Sequence, residues 1–161
     1  MTIETDKETD KGLFSKEDVM IQHINFDYMA NQNITFGLIG RGILGSNKSL
    51  RDLSNHTVII VSEEIMDESV IRETADVILA RGCKNVAFCG EASEDLRTIF
   101  DEEDLEINGY EDFAVMWGIE DACSLADEIS ACWNEVLILC SSMSLVRECR
   151  EALCEGTVVV D

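Results

Sequence analysis

From Thr57 onward, short apolar runs rich in β-branched residues alternate regularly with longer segments whose apolar residues recur at helical spacing, and this pattern constrains the fold most. Five runs have strand length: 57–61, 85–89, 112–116, 135–140 and 157–160. They are almost continuously apolar, as strands are when helices cover both faces of a parallel sheet. Alternation with right-handed crossovers predicts an α/β fold, a three-layer Rossmann-like sandwich with a mainly parallel sheet.

Four helical segments separate or follow these runs. Three of them carry an apolar stripe: Val70, Ile71, Ala75, Ile78 and Leu79; Ala122, Cys123, Ala126, Ile129 and Trp133; and Leu145, Val146, Cys149, Ala152 and Leu153. The remaining segment covers 93–100, with Ser93 as its expected N-cap. Gly82 and Gly156 stand where C-terminal caps favour a residue that tolerates positive φ. Upstream, Ser15 can cap a further helix over about 16–29.

The length of 161 residues and a hydrophobic content of 46% predict one domain with a substantial core. We expect residues 1–12 to be a disordered acidic lead-in and residues 13–161 to form a single α/β domain. The segment 1–11 is polar and has no hydrophobic region typical of a signal peptide, and no run of about 18 apolar residues occurs. These features predict a cytoplasmic protein.

Seven cysteines, an odd number, favour buried thiols over a disulfide framework in such a chain. Cys83, Cys89, Cys140 and Cys149 lie inside or beside apolar runs, where core thiols belong. The sequence contains no Cys-x-x-Cys pair, and each of its two histidines is far from any cysteine pair. We therefore expect no zinc site and no bound cofactor.

Charge is distributed unevenly. The chain has 12 basic and 33 acidic residues, for a net charge of −21, yet residues 1–56 hold 6 basic and 8 acidic residues while 57–161 hold 6 and 25. Between Arg97 and Arg147 there are twelve carboxylates and no lysine or arginine. Such a field repels nucleic acid and anionic membranes and attracts basic partners.

The acidic segment suggests a function in protein binding. We expect a non-catalytic interaction module of the immunity or inhibitor type, whose acidic face binds a basic protein partner. The candidate partner-binding residues are Asp101, Glu102, Glu103, Asp104, Glu120 and Asp121. The simpler alternative is that 101–104 form a solvated loop and that the acidic surface maintains solubility.

A glycine motif supports a second hypothesis. Gly40, Gly42 and Gly45 match Gly-x-Gly-x-x-Gly after the strand-like segment 34–39, and Glu63 follows at the end of the next strand. Dinucleotide-binding folds place glycines against the pyrophosphate and an acid on the ribose at similar spacing. The following segment, 46–55, has few apolar residues for a crossover helix, so a glycine-rich hinge or hairpin is the competing interpretation.

The ends of the expected strands carry polar groups without a complete catalytic set. Gly90 and Glu91 follow one strand, and Ser141 and Ser142 follow another. No phosphate-binding lysine loop or nucleophile elbow is present. These observations favour binding over catalysis.

Four stretches resemble a known family: 82–90, 99–103, 112–117 and the acidic pair at 120–121. The pattern is similar to a family of small acidic bacterial α/β domains of unknown function, over about residues 57–140. The resemblance implies an α/β fold and no particular activity.

Overall fold

The computed structural model describes residues 22–24, 34–40, 44, 48–64, 66–131 and 135–158. The strands in these ranges are β1 (Gln22–Ile24), β2 (Ile34–Leu38), β3 (His56–Val61), β4 (Asn85–Cys89), β5 (Val115–Ile119) and β6 (Glu135–Cys140). The α-helices are α1 (Glu68–Ala80), α2 (Ser93–Asn108), α3 (Leu125–Ala131) and α4 (Met143–Val158). Short 3-10 turns cover Lys48–Leu50 and Ala122–Ser124.

The strands form one sheet in the order β1-β2-β6-β3-β4-β5. All neighbouring pairs from β2 to β5 are parallel, and β1 pairs antiparallel with β2 at the opposite edge. Every residue of β3 is buried, as the nearly continuous apolar pattern predicts for a covered parallel strand. The predicted α/β class with a mainly parallel sheet is confirmed.

Helices cover both faces of the sheet and bury two separate apolar clusters. On one face, Ile71 and Ile78 of α1 pack in the same cluster as Phe100 of α2. On the other face, Ile129 of α3 and Cys149 of α4 belong to the second cluster. Alternate side chains of each central strand enter opposite clusters, which is how a single sheet supports three layers.

The first helix forms where the sequence indicates. The Asp67 carboxylate accepts a hydrogen bond from the Ser69 amide at 2.8 Å, which satisfies one N–H group that the first helical turn leaves unpaired. After α1, Gly82 has φ +94° and donates its amide to Leu79 O at 3.0 Å. Both the apolar stripe of α1 and the terminating role of Gly82 are confirmed.

Other boundaries were predicted incorrectly. Gln22–Ile24 is a strand instead of part of a helix over 16–29, because β2 offers it backbone partners; the rest of that range lies outside the described residues. Residues 157 and 158 end α4 instead of forming a strand, and Gly156 lies inside that helix. β-Branched residues lose only a fraction of a kcal/mol each in a helix, so a helix that is already formed can extend through them.

Two further differences concern the middle of the chain. β5 starts at Val115, three residues later than predicted, and Phe113 before it is exposed. Helix α2 continues to Asn108, and Ala92 occupies its N-cap position while the Ser93 hydroxyl donates to Gly90 O at 2.6 Å. The segment 101–104 is therefore helical and is not a loop.

Cys83, Cys89, Cys140 and Cys149 are buried, as their apolar neighbours predict. Within the described ranges, no helix has the length and apolar character needed to cross a bilayer. The expected lead-in at residues 1–12 lies outside the described residues.

Candidate functional site: an acidic cleft at the carboxyl edge of the sheet

A cleft of about 630 Å³ opens where β3, β4 and β5 end and α4 begins. Parallel strands bring their carboxyl ends to one edge of the sheet, which is where ligands bind in open α/β folds. The helices after β3 and β4 cover one face, whereas those after β5 and β6 cover the other. After the neighbouring strands β4 and β5, the chain therefore turns to opposite faces of the sheet, and the cleft lies between the two diverging segments.

Carboxylates dominate the lining. The acidic residues are Glu63, Glu91, Glu94, Asp95, Glu120, Asp121 and Glu148, and the remaining residues are Val61, Cys89, Gly90, Ser93 and Leu145. All seven acidic residues are exposed. No lysine or arginine is among the described residues that line the cleft. A concave surface of one charge sign concentrates counter-ions and oppositely charged ligands.

The floor of the cleft depends on a close backbone approach at Gly90. This residue has φ +108°, and a Cβ atom built on it would collide with the carbonyl oxygen of Ser62. The Ser62 amide donates to Cys89 O at 3.0 Å, and the Ala92 amide donates to Ser62 O at 3.2 Å. These bonds fix the ends of β3 and β4 against each other and hold the acidic loops in place.

Side-chain bonds also position the wall formed after β5. The Asp121 carboxylate accepts hydrogen bonds from the Ser124 amide and hydroxyl, both at 3.1 Å. The Trp117 indole donates to the Glu128 carboxylate at 3.0 Å. Asp121 therefore contributes negative charge to the cleft while it also stabilises the turn that leads into α3.

The apolar floor contains one thiol. Cys89 is 2% exposed, and burial raises its pKa to about 12. The thiol is consequently protonated at neutral pH, whereas nucleophilic cysteines need thiolate character. Among the described residues, no three histidine, cysteine or acidic side chains are arranged to hold a metal ion. The arrangement is suited to attracting positive charge.

The predicted partner-binding residues divide between two places. Glu120 and Asp121 line the cleft. The other four lie on α2, away from it: Glu102 and Glu103 accept hydrogen bonds from the Arg72 guanidinium at 2.7 and 2.8 Å. Glu103 and Asp104 are only 9% and 5% exposed, so these two carboxylates face inward. The alternative interpretation of 101–104 as a solvated loop is therefore wrong, because the segment is helical and Glu102, Glu103 and Asp104 make contacts within the fold. The role of these residues in partner binding stays a prediction.

The glycine motif is only partly described. Gly40 follows β2, whereas Gly42 and Gly45 lie outside the described residues. Glu63 follows β3 and lines the cleft, but β6 separates β2 from β3 in the sheet. Residues 48–55 contain a 3-10 turn and no α-helix. A dinucleotide site of the expected kind needs a helix after the glycine motif and the acid on the adjacent strand, so this arrangement does not favour it.

Sequence reasoning missed three of the cleft carboxylates. Glu94 and Asp95 lie in the first turn of α2, and Glu148 lies near the start of α4. The sequence pattern could have indicated them, because parallel strands place the first turns of the helices that follow them at the same edge of the sheet. An acidic first turn also has a structural role, because the positive end of the helix dipole favours negative charge.

Comparisons of this chain with protein-family models, with curated proteins and with solved structures find no match.

Proposed function

We propose that this chain is a non-catalytic interaction module whose acidic cleft binds a basic segment of a protein partner. The observation that carries the proposal is that seven exposed carboxylates line one cleft without a basic residue among its described lining. Repulsion among these carboxylates is relieved when lysine or arginine side chains enter. Binding therefore gains both faster association and affinity from the same charges.

The apolar floor supports a peptide-like ligand. Val61, Cys89 and Leu145 line the cleft together with the carboxylates, and Leu145 is the most exposed of the three at 7%. Lysine and arginine place long aliphatic stems on apolar surface while their charged ends meet carboxylates. A basic segment would satisfy both the floor and the rim, and such blocking of a basic partner suits an inhibitor-type or immunity-type role.

Neutralising the cleft tests the proposal. The variant Glu91→Gln/Glu120→Gln/Glu148→Gln removes three exposed cleft charges, and calorimetry measures binding of a lysine pentapeptide. Exposed ion pairs contribute about 0.5 kcal/mol each, so we expect about a tenfold loss of affinity. Raising the salt concentration should weaken wild-type binding as well, because the Debye length falls from about 10 Å at 0.1 M to about 3 Å at 1 M.

A matched control separates the cleft from net charge. The variant Asp101→Asn/Glu106→Gln/Glu151→Gln removes the same charge from exposed residues outside the cleft. We expect it to bind the peptide within about twofold of wild type, since distant exposed charges are screened. Equal losses in the two variants, or no loss in the cleft variant, would reject the cleft as the binding site.

A further inference from the structure

Among the described residues, no strand pairs with the outer edge of β5. β5 is the last strand of the sheet and pairs with β4 in the described part of the chain. The Val115 amide donates to Lys84 O at 2.8 Å, toward β4. Backbone groups alternate sides along a parallel strand, so those of Met116 and Gly118 point away from the sheet.

Side chains of α2 cover only part of this edge. The Asp104 carboxylate accepts a hydrogen bond from the Ala114 amide at 3.0 Å, and the Arg97 guanidinium donates to Met116 O at 3.0 Å. We find no partner among the described residues for the Met116 amide or for either backbone group of Gly118. A Cβ atom built on Gly118 meets nothing within 4 Å, so the face of the sheet at this position is uncovered by the described residues.

Exposed apolar side chains flank the open edge. Tyr110, Phe113 and Val115 are 83%, 60% and 54% exposed and lie on the approach to β5 or at its first residue. Unpaired strand edges are aggregation hazards that proteins usually block with charges or proline. Here residues 113–119 contain neither, which is typical of an edge that accepts a strand from a partner.

The charges at the two ends of this apolar stretch indicate the occupant. Glu111 lies before it, Glu120 and Asp121 lie after it, and Asp112 is paired with Lys84 at 3.2 Å. An antiparallel second copy centred on Met116 would place Glu111 opposite Asp121, and like charges in facing positions destabilise a strand pair. A strand with basic residues at its ends has the complementary pattern.

We propose that the β5 edge binds an extended apolar segment of a partner protein, flanked by lysine or arginine, as an added strand. The segment would bond to the outward-facing amide of Met116 and to the backbone groups of Gly118, and it would cover Phe113 and Val115. Glu120 and Asp121 also line the cleft, but the proposal rests on the strand edge and goes beyond the proposed function of the cleft.

A synthetic peptide with two lysines at each end and alternating valine and threonine between them tests this inference on the full chain. We expect binding by calorimetry and slowed amide hydrogen exchange at Met116 and Gly118. The same peptide with every valine and threonine amide N-methylated keeps its charge but has no backbone donor between the lysines on either edge, so we expect about a tenfold loss of affinity. Binding in the cleft alone would be the same for both peptides, which distinguishes the two sites.

Variants at one position give the complementary test. Gly118→Pro removes the outward amide and should weaken peptide binding about tenfold, whereas Gly118→Ala retains it and should bind like wild type. Both variants should keep an unfolding temperature close to that of the wild type, because the Gly118 amide points away from β4. Equal affinity in Gly118→Pro and Gly118→Ala, or no change in exchange at Met116 and Gly118, would overturn the proposal. A dimer of the free chain that Gly118→Pro dissociates would also overturn it, since the occupant would be a second copy.

Discussion

At the contact between α1 and α2, Arg72 joins three carboxylates. Its guanidinium donates to Glu68, Glu102 and Glu103 at 2.7 to 2.8 Å. A fourth carboxyl group, Asp76, is hydrogen-bonded to Glu103, and this bond together with burial and the nearby charges of Glu103 and Glu106 raises the pKa of Asp76 to about 6. At pH 7 Asp76 is therefore charged in a position that favours its protonated form.

The pKa shift predicts a stabilising substitution. A carboxyl group whose pKa is raised by folding stabilises the native state at low pH, and this contribution is lost as the pH rises from about 4 to about 6. Asp76→Asn keeps a donor for Glu103 without the charge. We expect it to be more stable than wild type at pH 7 by about 0.5 kcal/mol, after allowance for solvent screening, with no difference below pH 4.

Urea unfolding at several pH values measures this difference. The control Glu151→Gln removes an exposed charge from α4 and should give a difference that does not change over the same range. A wild type that equals or exceeds Asp76→Asn in stability at pH 7 would show that folding does not raise the pKa of Asp76.

At the scale of elements, one acidic stretch contains both structural and surface residues. Asp104 on α2 accepts hydrogen bonds from the Ala114 amide and from the Asn108 side chain at 2.6 Å, and so joins the helix to the chain entering β5. Asp101 lies one turn earlier on the same helix and is exposed. The sequence presents the two as equivalent members of an acidic cluster.

These two residues provide a matched pair of substitutions. Asp104→Ala leaves a buried amide without a partner and should lower the free energy of unfolding by about 1–3 kcal/mol. Asp101→Ala should change it by less than about 0.5 kcal/mol, as is usual at exposed positions. Similar effects of both substitutions in thermal or urea unfolding would contradict the structural role of Asp104.

The elements show which parts of the fold were predictable. Strands β3, β4 and β6 lie within one residue of their predicted bounds because both faces of each are covered and hydrophobic pattern alone defines them. β5 is an edge strand whose apolar stretch includes the exposed Phe113, so hydrophobicity did not mark its start. The β-branched residues at the end of α4 led to the incorrect prediction of a strand at 157–160. Their β propensity is too weak to prevent residues 157 and 158 from continuing the helix.

At the scale of the whole molecule, the sheet order determines which charges meet. Glu63, Glu91, Glu120 and Glu148 are far apart in sequence, yet they line one cleft because parallel strands end at one edge. The sequence showed that the chain has a strong negative field, but it did not show that Glu103 and Asp104 within 101–104 are buried. Only the order of strands and the helices that follow them could reveal where the carboxylates converge.

Chemical-shift mapping of the isotope-labelled chain with a lysine pentapeptide at low salt tests the central claim most directly. If the acidic cleft binds basic segments, the amide signals of residues 90–95, 120, 121 and 148 will shift with increasing peptide, and those of 101–106 will remain unchanged. Shifts that are absent at millimolar peptide, or that spread evenly over the acidic surface, would contradict the account.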